Sequence, residues 1–172
     1  MKKHARIGYA FLSIVLASPC APAWSQGASL VEDRYFHSLG VIMSKIRGVQ
    51  YTADICAERY PATKEANQRA AEDWRDRYQP FIGEMTAAFN GLPRYWAGRN
   101  KEAARAGPAM WAQVNRQLDG AKLLLEQQYL AQLGEEKFAI VCANYAMVLQ
   151  APGADLERTQ VQEVATIRRG PK

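Results

Sequence analysis

Histidine is nearly missing from this chain: 172 residues hold two, His4 and His37. A usual zinc centre takes three or four His, Cys or acidic ligands, so this scarcity argues against one. Three cysteines are present, and none are spaced Cys-x-x-Cys. That removes the common redox pair and, with no Cys-x-x-Cys-His, covalent haem attachment. A haem held by a histidine and a methionine would fall to His37 and Met147, and both lie off the apolar stripes of their helices. There is no Gly-x-Ser-x-Gly elbow for a nucleophilic serine. Glycine loops of the Walker or Rossmann type are also missing. Apolar runs never reach the roughly 20 residues a membrane-spanning helix needs. No cofactor and no metal are expected.

Charge of one sign is scarce too, once its position is considered. The formal net charge is +5. Lys2, Lys3 and Arg6 sit in the first 25 residues, which hold no acid. Without those three, 22 basic residues become 19 against 17 acidic, a net +2. Phosphate backbones call for a dense positive footprint, so nucleic acid is not an expected partner.

What the chain does have begins at its start. The basic residues lead into an apolar run from Ile7 to Ala17, and Ala21-Pro22-Ala23 follows as a small-residue cleavage site. Residues 1–25 read as a secretory signal peptide, which places the remainder in the periplasm or outside the cell. Lipidation at Cys20 is not expected, because Ala17 and Pro19 fit the lipoprotein pattern poorly. Cleavage discards Cys20 and leaves Cys56 and Cys142 to pair in an oxidising compartment.

The fold class expected is all-α, an antiparallel four-helix bundle with one inter-helix disulfide, Cys56–Cys142, in a single domain over 26–153. Ser29 and Glu32 form a capping box for the first helix. Tyr35, Leu39, Ile42, Ile46, Val49, Ala53, Cys56 and Tyr60 then recur at three- and four-residue spacing, one stripe down a helix that Pro61 ends. Gly40 and Gly48 within it suggest a bend or close packing. A second helix from Pro61 carries Ala66, Ala70, Trp74, Tyr78, Phe81, Met85 and Phe89, with Pro80 set to kink or split it. Pro108 opens a third, with Trp111, Val114, Leu118, Ala121, Leu125 and Tyr129 inward, ending at Gly134. A fourth runs to Gln150 with Phe138, Cys142, Tyr145 and Leu149 inward. Residues 154–172 read as a fraying, weakly helical basic tail. Bridging Cys56 to Cys142 closes 86 positions of chain. On the chain-entropy model that stabilises by about 4.5 kcal/mol.

Paired carboxylates are the simplest enzymatic arrangement, since glycoside cleavage needs only two at a set separation. Asp73 and Asp76 qualify by spacing but alternate with Arg75 and Arg77. Glu135 and Glu136 open a helix, where negative charge suits the dipole. Both pairs read as solvated surface.

The stretch 91–108 is the candidate partner-binding surface. Arg94, Arg99, Lys101 and Arg105 outnumber Glu102, and Tyr95 and Trp96 lie among them. Trp111 follows on the next helix. Tryptophan, tyrosine and arginine are the residues that most often anchor protein partners. In the competing reading Tyr95 and Trp96 cap one end of the core while the cations stay in water. The function expected is that of an exported, non-enzymatic protein acting on another envelope protein, as an immunity, chaperone or assembly factor. The alternatives are a cell-wall or small-ligand protein, with or without carboxylate chemistry, and a peripheral membrane-surface protein.

Overall fold

The computed structural model describes residues 30–171, so the segment 1–25, Cys20 and the Ser29 cap lie outside the described residues. All secondary structure among the described residues is helical. Helix α1 spans Leu30–Arg59, and a short 3-10 turn, Pro61–Thr63, leads into α2, Lys64–Arg77. Helices α3, Gln79–Asn90, and α4, Leu92–Arg99, follow, then the long α5, Lys101–Ala143. The chain closes with α6, Tyr145–Gln150, a second 3-10 turn, and α7 and α8, Leu156–Thr159 and Val161–Arg169.

Gly134 divides α5. Its φ of 72° and ψ of 167° are non-helical, in a region that glycine enters without a Cβ penalty. The two halves therefore run in different directions. Contacts between helices fix those directions. The Tyr51 hydroxyl donates to the Leu118 carbonyl at 2.9 Å and Arg59 reaches Glu126, so 101–133 runs parallel to α1. Arg75 meets Gln50, and Tyr145 meets Val49 after Cys142 has met Cys56, so α2 and 135–150 run the opposite way. This is the alternation of an antiparallel four-helix bundle.

Helix α1 is the central element and touches α2, α3, α5 and α8. Its expected stripe is buried at Tyr35, Leu39, Ile42, Val49, Ala53 and Cys56, and Ser38, Met43, Thr52 and Ile55 are buried besides. One stripe would serve a helix covered on one side; these extra positions belong to a helix enclosed on several. Part of that cover comes from the C-terminal segment. Leu156, Val164 and Ile167 are buried in the main core, and α8 packs on α1. The expected fraying tail is thus a folded part of the bundle over 156–169. Asp155 caps α7 by accepting from the Arg158 amide, and Gly170 ends α8 at φ 74°.

Of two further boundaries, the break before Pro80 is an expected one and the start of α5 differs from the sequence reading. The second helix is split at Tyr78, so that Pro80 falls in the first turn of α3, where its missing N–H costs nothing. Helix α5 starts not at Pro108 but at Lys101, because the Asn100 side chain accepts from the Ala103 amide at 2.8 Å and caps it. Nor do Gly40 and Gly48 serve close packing: a Cβ at either would meet nothing within 4 Å.

Three buried polar side chains pair across elements. Asn67 donates to the Cys142 carbonyl at 3.0 Å, Trp74 to the Ala154 carbonyl at 2.9 Å, and Tyr145 to the Val49 carbonyl at 2.7 Å. Cys56 and Cys142 are joined, with Cα atoms 5.3 Å apart. They sit fully buried in a second core cluster with Ile55, Tyr129 and Phe138. The rings of Tyr129 and Phe138 stack at 4.9 Å there.

Candidate functional site

The expected partner-binding stretch is helical, and its aromatic residues turn inward. Leu92 and Trp96 lie one turn apart on α4 and are both buried, Trp96 to 7 % exposure. The Phe36 ring lies 5.6 Å from Trp96 and 6.0 Å from Tyr95. Gly107 of α5 is buried directly against Trp96. Tyr95 and Trp111 are partly buried and pack on the same core, Trp111 with its ring 4.9 Å from Phe89. Trp96 is therefore a core residue that fastens α4 to α1 and α5, a correction to its reading as a surface anchor. Arg94, Lys101 and Arg105 stay in water, while the Arg99 side chain is outside the described residues. The sequence signal misled because the cations between the aromatics advertise a wet surface, whereas the one-turn spacing of Leu92 and Trp96 marks the inward face.

Charged groups elsewhere tie helices together. Arg59 bridges Glu126 and Glu135, both at 2.7 Å, and the Tyr60 hydroxyl donates to Glu135 at 2.7 Å. Those hydrogen bonds, from Tyr60 first and Arg59 second, hold the Glu135 carboxyl below its ordinary range. Glu135 is thus committed to fastening helix ends. Arg168 grips both oxygens of Glu84 at 2.8 Å and also reaches Glu157, so α8 is clamped to α3 and α7. Its hydrogen bonds to Glu84 likewise lower that carboxyl. His37 is exposed, and Asp73 and Asp76 are exposed on α2.

Two surface features were missed from the sequence. The first is a groove of about 260 Å³ between α2 and α6. Ala66, Ala70, Ala146 and Leu149 form its apolar part, and Arg69, Asp73, Arg77 and Gln150 its polar part. Arg69, Asp73 and Arg77 follow at four-residue intervals, so one face of α2 presents all three. Among the described residues, no ion pair joins either arginine to a carboxylate. The second is a set of large apolar side chains in solvent: Leu123 and Leu124 on α5, Ile140 near its end, and Met147 on α6 at 64 % exposure. The run Leu123-Leu124-Leu125 carried a readable signal. Three consecutive leucines cannot all face one core from a helix, and Leu125 is the one that packs inward.

No helix among the described residues is long and apolar enough to cross a membrane. No protein-family model, no curated protein and no solved structure matches this chain.

Proposed function

We propose that this is an exported, non-enzymatic binding protein that acts on another protein of the cell envelope, in the manner of an immunity, chaperone or assembly factor. The observation that carries the reading is the solvent exposure of Leu123, Leu124, Ile140 and Met147 on a bundle whose other large side chains are mostly packed. Leu123 and Leu124 adjoin on α5, and exposed apolar side chains that form a patch mark a surface that another molecule covers. The frame behind them is braced by a disulfide and by paired buried polar groups, which suits a preformed contact surface. Export rests on the sequence of residues 1–25, and a buried cystine fits an oxidising compartment. Relative to the sequence reading, the contact surface moves from Tyr95 and Trp96 to α5 and α6.

Cross-linked affinity capture from the native envelope tests this reading. An abundant partner recovered with the wild type and lost with I140E/M147E supports it. Equal recovery with the variant contradicts it.

A second reading has its own observation. Arg94, Lys101 and Arg105 stand exposed on α4 and the start of α5, and Arg34 is exposed near the start of α1, which packs there through Phe36. Such a cationic corner suits an anionic membrane surface, and salt-sensitive binding to phosphatidylglycerol vesicles would support it.

A further inference from the structure

The groove between α2 and α6 has the chemistry of a recognition site. Its volume, about 260 Å³, falls below the roughly 300–1,000 Å³ of pockets that enclose whole small ligands. A site of this size suits a side chain or two from a larger partner. The apolar part is built from three alanines and Leu149, so it accepts a small apolar group. The arginines at either end of the α2 face are exposed and not ion-paired among the described residues. A guanidinium presents a planar fork of donors that matches a carboxylate.

Spacing narrows the partner further. Arg69 and Arg77 are eight residues apart on one helix, about 12 Å along its axis at 1.5 Å per residue. In an extended peptide, side chains at positions i and i+4 lie about 13 Å apart and point to the same side, with that of i+2 between them. Asp73 stands midway along the arginine row and repels a carboxylate placed there.

We infer that this groove recognises an extended acidic segment of the partner protein, with the pattern acid–x–small apolar–x–acid. Each outer carboxylate pairs with one arginine, and the central side chain rests against Ala66, Ala70, Ala146 and Leu149. The inference rests on the binding-protein reading and names the chemistry of the partner.

The test uses the purified protein and three capped pentapeptides: Glu-Ser-Ala-Ser-Glu, Gln-Ser-Ala-Ser-Gln and Glu-Ser-Glu-Ser-Glu. Binding is followed by amide chemical shifts. The first peptide is expected to shift Ala66, Ala70, Ala146 and Gln150, with about tenfold weaker binding by the other two, as loss of charge-assisted contacts dictates. R69Q/R77Q should abolish the preference for the first peptide without changing the melting temperature, since both side chains are exposed. D73N should restore binding of the third. Equal binding of the neutral peptide, shifts centred elsewhere, or undiminished binding by R69Q/R77Q would overturn the inference. Partner capture separates the two claims. An envelope partner retained in full by R69Q/R77Q overturns the groove and leaves the binding-protein reading standing. Peptide binding in the groove with no envelope partner supports the groove and contradicts that reading.

Discussion

Phe36 of α1 and Trp96 of α4 stand with ring centroids 5.6 Å apart and planes tilted by 35°. Through that contact the most partner-like residue of the sequence becomes part of the core. Truncating a buried tryptophan costs about 3–5 kcal/mol. W96A should therefore lower the melting temperature sharply, whereas R94A, exposed on the same helix, should leave it within the scatter of surface substitutions. Thermal unfolding of the two variants checks both expectations.

The helical class and the cystine were legible because both rest on helical periodicity. The row from Tyr35 to Cys56 identifies α1, and Cys56 and Cys142 both fall on inward stripes. The enclosure of α1 was harder to read. Ser38 and Thr52 are polar, so they do not extend an apolar pattern, yet both are buried. Thr52 manages this by donating to the Gly48 carbonyl at 2.8 Å and lying 3.1 Å from the Tyr129 hydroxyl. The C-terminal helices were underestimated for a related reason. Leu156, Val164 and Ile167 are too few to form a stable isolated helix, and they gain their order from burial in the common core. The α2–α6 groove could not be read at all, since Ala146 and Arg69 meet only through tertiary packing.

The cystine should carry a large share of the stability. It closes an 86-residue separation, so C56A/C142A should lose about 4.5 kcal/mol by the loop-entropy account. Both cysteines are fully buried. Reductant alone should therefore leave the folded protein oxidised and act only once denaturant opens the bundle. Urea unfolding of the variant, with thiol titration of the wild type under reductant, reads both.

Alkaline pH should weaken the fold. Burial pushes the Tyr145 hydroxyl well above its usual 10.0 and raises Tyr129 as well. The unfolded chain releases these protons near pH 10.0, while the folded chain holds them to higher pH. Their stabilisation is full below pH 10 and declines as pH rises beyond it. Melting temperatures between pH 8 and 12 should fall on the alkaline side, less steeply in Y145F.

At the acid end the sign reverses. Glu84 and Glu135 are held below their usual 4.5 by Arg168 in one case, and by Tyr60 and Arg59 in the other. Their contribution is present above about pH 4.5 and is lost as pH falls through the lowered values. E84Q and E135Q should each flatten the acid limb of the melting profile, and salt should shrink the difference because these groups are exposed.

Gly40 and Gly120 lie inside helices, and a Cβ at either meets nothing within 4 Å. Replacing each by alanine removes backbone freedom from the unfolded chain and should stabilise by about 0.5–1 kcal/mol. G40A/G120A should therefore melt a few degrees higher than the wild type.

The central claim is that a protein partner covers the exposed side chains of α5 and α6. A photo-cross-linking amino acid at position 147, compared with one at position 94 in intact cells, tests it most directly. The account predicts one dominant envelope-protein adduct from position 147 and little from position 94. Adducts only from position 94, or none from position 147, would contradict it.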